Sequence, residues 1–168
     1  LLIYFAGHSS LGIKNKNKGF LQPIDADFEV EDNWISYQEI DQEINKLKVK
    51  DVLLIIDGCY PGAFIPEAGA RPVPNLWERS NAVVAIASAN QEQQILDEWN
   101  NSEHSLFAFK FLSHLNHIKK NTTASDLFSR IETEILGINK DLEFPQTPLY
   151  SSLEGHQSGD FIFFPNTQ

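Results

Sequence analysis

The sequence holds a single cysteine, Cys59, and one of its five histidines, His8, lies 51 residues ahead of it. A thiol and an imidazole held together can do nucleophilic chemistry. The imidazole takes up the thiol proton, the thiolate attacks a carbonyl carbon, and the imidazolium returns the proton to the leaving group. Asp57 precedes the cysteine by two positions. In an extended segment residues i and i+2 point the same way, so its carboxylate can share the pocket that the thiol faces. Each residue also has a plainer reading: Cys59 as a small core residue, His8 as a surface or satisfied core histidine, Asp57 as a turn former before Gly58. The placement of the pair argues against the plain readings, because each follows a glycine that ends an apolar run.

The elements that must position them are legible. Val52 to Ile56 is a short apolar run, rich in β-branched residues, that stops at Asp57-Gly58-Cys59 and turns at Pro61-Gly62. It reads as a strand buried on both faces. Leu1 to Phe5 is a second such run, ending in Ala6-Gly7-His8-Ser9. Between them Ser36 to Lys48 reads as a helix. Ser36 and Glu39 form a capping box, Ile35 and Ile40 can close a hydrophobic staple, and Ile40, Ile44 and Leu47 recur at helical spacing toward the sheet. Strand, helix, strand is a crossover unit, so the two strands should be parallel and about 4.8 Å apart. The ends of open parallel sheets are where ligands and catalytic groups collect.

The rest of the chain fills out one α/β domain over residues 1–168. Leu11 to Lys18 reads as a flexible loop and Pro61 to Ser80 as a long, proline-rich one beside the cysteine. Ala82 to Ala87 is a third apolar strand. Ser105 to Ile118 and Thr123 to Leu136 are helices, the second with Leu127, Phe128, Ile131 and Ile135 on one stripe and Gly137 as its stop. Phe144 to Pro148 is irregular, and Phe161 to Phe164 is a last short strand ended by Pro165.

Composition narrows the function classes. A net charge of −10 with no basic stripe excludes nucleic acid as the main partner and suits cationic substrates. No apolar run reaches membrane-spanning length, and no basic leader precedes an apolar segment at Leu1. One cysteine cannot form an internal disulfide and fits a reducing, cytoplasmic location. Gly58 and Gly62 lack the Lys-Ser/Thr of a phosphate loop. His114 and His117, spaced i, i+3, have no third ligand beside them and read as a solvated face. Asp25, Asp27, Glu29, Glu31 and Asp32 read as a solvated acidic loop whose spacing matches no compact calcium loop, so no metal site is expected.

Taken together, Tyr4-Phe5-Ala6-Gly7-His8, Leu21-Gln22-Pro23-Ile24-Asp25-Ala26-Asp27, Asp57-Gly58-Cys59-Tyr60-Pro61-Gly62 and the tail from Gln146-Thr147-Pro148 to Phe161-Ile162-Phe163 resemble the catalytic domain of the caspase/metacaspase superfamily, especially its bacterial caspase-like members. The histidine about 50 residues before the cysteine is a spacing that superfamily shares. The resemblance implies a three-layer α/β/α sandwich with a mostly parallel central sheet, and a Cys59/His8 dyad that needs no third group. It implies an oxyanion hole from the backbone N–H of Cys59 and of the residue after the histidine. That residue is Ser9 here, where the family usually has glycine. It also implies a pocket in which Asp57 receives a basic substrate side chain, with Glu92 and Asp97 near a second acidic position. Calcium activation, known in some metacaspases, is the one cofactor it raises. Finally, it implies two earlier strands and a helix upstream of Leu1, so that an upstream segment or a partner chain is expected to complete the sheet.

The function expected is therefore a cysteine endopeptidase acting on polypeptides, cleaving after Arg or Lys. The alternatives are a non-catalytic interaction domain that keeps the fold, or a protease that cleaves after Asp with Arg71 or Arg79 folding in from the loop after Cys59. The same loop is expected to be an autoprocessing or gating segment.

Overall fold

Val52 to Ile56 can be buried on both faces only if the strand lies inside a sheet covered on each side. The computed structural model describes residues 1–16, 18–64, 80–90, 92–96 and 98–165, and this strand is its centre. In chain order the strands are β1 (Leu2–Gly7), β2 (Ser9–Leu11), β3 (Gly19–Leu21), β4 (Ile35–Ser36), β5 (Asp51–Gly58), β6 (Ala82–Ala87), β7 (Thr122–Thr123), β8 (Leu149–Ser152) and β9 (Ile162–Phe163). The helices are α1 (Tyr37–Lys46), α2 (Leu106–Asn116) and α3 (Ala124–Ile138).

The main sheet has the order β1-β5-β6-β8. β1 and β6 flank β5 in parallel, and β8 runs antiparallel to β6. Alternation along β5 divides the core in two. Leu53 and Ile55, with Val84 and Ile86 of β6, pack on Phe107 and Phe111 of α2 and on Leu127, Phe128, Ile131 and Ile135 of α3. Val52, Leu54 and Ile56 pack on the other side with Ile44, Ile40 and Tyr37 of α1 and with Leu21. The result is helix, sheet, helix: the three-layer α/β sandwich with a mostly parallel sheet.

Each helix begins where a side chain supplies the missing acceptor. The Ser36 hydroxyl accepts the Glu39 N–H at 3.2 Å while the Glu39 carboxylate accepts the Ser36 N–H at 2.7 Å. This is the capping box read from the sequence, and the hydrogen bonds from Ser36 hold the Glu39 carboxyl below its usual range. Ser105 caps α2 and Thr123 caps α3 in the same manner.

The structure corrects several sequence expectations. α3 runs through Gly137 to Ile138; a Cβ added at Gly137 would meet nothing within 4 Å, so the glycine sits at an open helical position. α1 ends at Lys46, so Leu47 turns outward and is 44% exposed instead of facing the sheet. β8 was not anticipated as a strand; alternate placement of Tyr150 and Ser151 in the interior comes from its pairing with β6. The last strand, β9, joins β7 rather than the main sheet. The segment read as a loop over 11–18 is bracketed by β2 and β3, which with β4 form a small antiparallel sheet. His114 and His117 do lie on an outer face, where His114 bonds Glu134 at 2.9 Å and His117 the Ser113 carbonyl at 2.6 Å.

One polar contact at the start of β6 sets a pH dependence. His156 Nδ1 accepts the Val83 N–H at 3.3 Å. Burial pushes its pKa below the ordinary histidine value, with Asp160 pulling the other way. The unfolded ring protonates near pH ~6.5, so below that the unfolded state binds more protons than the folded one. The stability His156 contributes is thus present above about pH 6.5 and lost as pH falls further. Thermal melts from about pH 7 to about pH 5 should show a falling Tm, and His156→Gln should flatten that fall. Identical slopes in the two proteins would exclude His156 as the cause.

Candidate active site

The parallel register of β1 and β5 decides where the chemistry-bearing residues meet. Tyr4 pairs with Ile55, Ala6 with Asp57 and Gly7 with Gly58. His8 and Cys59 are each the first residue beyond the last register pair, so they leave the sheet side by side. Gly58 permits this approach: a Cβ there would lie 2.5 Å from the Gly7 carbonyl oxygen and 2.8 Å from Ser9 Oγ. Ser9 begins β2, is buried, and donates its hydroxyl to the Cys59 carbonyl. The serine that replaces the expected glycine therefore ties the turn after His8 to the turn that carries the thiol.

Cys59 is half-buried and His8 exposed. The thiol lies 4.0 Å from the Ile95 carbonyl oxygen, and the His8 ring meets Phe28 edge-on at 6.0 Å. Among the described residues no hydrogen bond joins the thiol to the imidazole. The next residue, Tyr60, has φ of +53°, a left-handed conformation that a bulky side chain adopts only under constraint. The constraint is visible. Its N–H donates to the Gln93 carbonyl at 2.9 Å, and its hydroxyl accepts from Gln94 Nε2 at 2.8 Å. Gln93 is fixed in turn by Thr147, whose N–H reaches Gln93 Oε1 at 2.8 Å. Gln93, Gln94 and Ile95 thus form a held wall beside the thiol.

On the α2 side of the sheet, a cavity of about 530 Å3 opens next to that wall. It is lined by Tyr4 and Gly7 of β1, Asp57 of β5, Ile95, Glu103, His104 and Ser105, and Ala108, Phe111 and Leu112 of α2. Asp57 is 4% exposed and accepts hydrogen bonds on Oδ2 from the Tyr4 hydroxyl at 2.8 Å and the Ser105 hydroxyl at 2.6 Å. Burial first, and the Asp57 charge second, push the Tyr4 pKa well above its usual value, so the phenol remains a donor. Among the described residues the lining contains no lysine or arginine. A long apolar wall ending at a buried carboxylate is complementary to an aliphatic stem that carries a cation.

The family model for the caspase domain, Peptidase C14, matches residues 1–156. The chain belongs to the caspase-domain family. Cysteine-peptidase-like function is the general reading that this membership carries. No match to a curated protein accompanies it.

Within this caspase domain the residues singled out from sequence fare differently. His8, Ser9, Asp57 and Cys59 converge at the ends of β1 and β5. Glu92 is exposed on the turn where its N–H bonds Asn90 Oδ1 at 2.9 Å, and it is not among the residues lining the cavity. Asp97, Arg71 and Arg79 lie outside the described residues, as does most of the loop expected to be processed. Within the acidic run, Glu31 Oε1 accepts the N–H of Ile13 and of Lys14, Asp27 Oδ1 accepts the Glu29 N–H, and the Asp27 carbonyl accepts the Trp34 indole N–H. These are loop tethers. No group of three or more His, Cys, Asp or Glu side chains among the described residues is arranged to hold a metal ion, and no helix among them is long and apolar enough to cross a membrane. Tyr4, Ser105, Ile95 and Glu103 were not singled out from sequence. The first two carry a usable signal: Tyr4 is a polar tip in an apolar strand, two residues before the position paired with Asp57, and Ser105 is a helix cap.

The close approach at Gly58 can be checked against a glycine with room. Gly58→Ala should cost about 2 kcal/mol through overpacking against backbone, lowering Tm by roughly 5 °C in a domain of this size. Gly137→Ala, in an open helical position, should raise stability by about 0.5–1 kcal/mol. Calorimetry of the two variants tests this, and a neutral Gly58→Ala would contradict the packing of β1 against β5.

Proposed function

We propose that this caspase domain is a cysteine endopeptidase in which Cys59 is the nucleophile and His8 its acid–base partner, and that it cleaves after Arg or Lys. The single observation that carries the specificity is the buried Asp57 carboxylate in the cavity beside the thiol. A substrate side chain would run its apolar stem along Ile95, Ala108 and Leu112 and bring its cation to Asp57. Its backbone carbonyl would then lie at Cys59.

In the reaction His8 takes the thiol proton and the thiolate adds to the carbonyl carbon. The oxyanion is held by the backbone N–H of Cys59 and of Ser9. As the tetrahedral intermediate collapses, the C–N bond breaks and His8 delivers its proton to the leaving amine. Water, deprotonated by His8, then hydrolyses the acyl-enzyme and restores the thiol. The dyad chemistry requires no metal, and calcium would act only as a regulator. Cys59 and His8 approach from adjacent strand ends, and hydrogen bonds that form on substrate binding are commonly open without it.

The second reading is a non-catalytic interaction domain. It is favoured by the thiol's contact with the Ile95 carbonyl in place of His8. Fluorogenic peptides with Arg, Lys or Asp on the acyl side separate the readings. The wild type should cleave the Arg and Lys peptides. Cys59→Ala and His8→Ala should each lose at least about a hundredfold in kcat, and Asp57→Ala should lose roughly 30-fold or more in kcat/KM on basic substrates. Cleavage of Asp peptides alone would overturn the specificity, and an unreactive Cys59 with no turnover would favour the interaction domain.

The partner proposed to complete the sheet is an added strand along β1, from an upstream segment or a second chain. β1 pairs with β5 on one side only among the described residues. It exposes Leu2 and Tyr4 on one face, and on the other borders an apolar groove of about 390 Å3 lined by Ile3, Phe5, Ile40, Ile44 and Leu47. An apolar edge of this kind templates strand addition. Residues 1–168 produced alone should self-associate in light scattering. A monodisperse monomer that unfolds cooperatively would count decisively against the added strand.

A further inference from the structure

The hydrogen bonds to Asp57 have a consequence for recognition. The two donors come from different layers. Tyr4 reaches in from β1 at 2.8 Å and Ser105 from the N-cap of α2 at 2.6 Å, both to Oδ2. The Ser105 oxygen simultaneously accepts the Ala108 N–H at 3.0 Å. A chain of hydrogen bonds thus runs from the first turn of α2 through Ser105 to the carboxylate, and a second donor clamps the same oxygen from the strand. An aspartate carboxylate otherwise turns broadly about its last torsion. Two donors on one oxygen use both of its lone-pair directions and fix that rotation. Both donors are neutral hydroxyls, and both line the cavity.

We infer that Tyr4 and Ser105 are specificity-determining positioning residues: they lock the Asp57 carboxylate so that the cavity distinguishes a cationic side chain from a neutral one of the same shape. The inference rests on the proposed Arg/Lys pocket and deepens it. The hydroxyls take no part in bond making. Their contribution is preorganisation, which lowers the cost of binding the charged group.

A structural role alone would move stability or lower activity on all substrates together. A positioning role moves the ratio between substrates. The test uses two matched pairs of fluorogenic peptides, Lys against norleucine and Arg against citrulline on the acyl side, with iodoacetamide labelling of Cys59 as a control that needs no substrate side chain. Tyr4→Phe should raise KM for the Lys and Arg peptides about tenfold, the scale of one lost hydrogen bond to a charged group. Turnover number, the norleucine and citrulline kinetics and the labelling rate should stay near wild type. Ser105→Ala should behave alike, and Ser105→Thr, which keeps both the hydroxyl and the cap, should restore the ratio. If Ser105→Ala does not fold, Tyr4→Phe and Ser105→Thr still decide. A charged-to-neutral ratio that stays at the wild-type value in Tyr4→Phe, or a uniform loss on all four peptides, would overturn the inference. Should Asp57→Asn abolish the ratio while Tyr4→Phe keeps it, only the positioning role fails. A wild type with no preference for the charged peptides would remove the basic pocket itself, and this inference with it.

Discussion

Burial of β5 on both faces is the constraint from which the rest follows. From Val52 to Ile56 no side chain is more than 1% exposed, and each buried Leu, Ile or Val contributes about 1.5–3 kcal/mol through removal from water. A strand under that pressure cannot carry a nucleophile along its length, because both directions are already filled by α1 on one side and α2 and α3 on the other. Reactive groups can appear only where the strand runs out. Asp57, still in register with β1 and buried, is the last side chain to point into a covered layer. Cys59 is the first that need not. The parallel partner β1 obeys the same rule one strand away, and the shared register delivers His8 to the same edge as Cys59. The placement of His8 and Cys59 at one edge of the sheet is therefore a by-product of sheet geometry.

That logic explains what could be read in advance. Runs of apolar residues ending at glycine gave away β1 and β5, and periodicity with capping residues gave away the three helices. These signals are local. What stayed hidden depends on residues far apart in sequence. β8 has no strong alternation and becomes a strand because β6 offers it an edge. Gly137 looks like a helix stop, yet α3 continues because Asn139 and Gln146 exchange hydrogen bonds at 2.7 and 2.8 Å and hold the turn beyond it. The Asp57 cavity was half legible. Its floor followed from the i, i+2 relation to Cys59, but its walls come from α2 and from the 90–95 segment, some 35 to 55 residues later in the chain. The family resemblance puts Glu92 near a second acidic position; its turn instead directs it to solvent, and Glu103 lines the cavity.

The distribution of charge is also informative. The chain carries −10 overall, yet most of that charge is solvated or spent on loop tethers, as with Glu31 and Asp27. Asp57 differs in being a carboxylate inside the core layer. Burying an anion is costly unless it is hydrogen-bonded or paired. The neutral hydroxyls of Tyr4 and Ser105 meet part of that cost.

Finally, the thiol and the cavity are not independent. Ile95 supplies the carbonyl nearest the thiol and also a wall of the cavity, and the segment that carries it is pinned through Gln93 to Tyr60 and Thr147. Tyr60, immediately after Cys59, is held at positive φ, a state that costs on the order of 1–3 kcal/mol. That cost is sustained because Gln93 holds its backbone N–H and Gln94 its hydroxyl. Any displacement of this stretch would alter the wall of the cavity and the turn at Cys59 together, so the shape of the cavity and the setting of the thiol are mechanically joined through one short stretch of backbone.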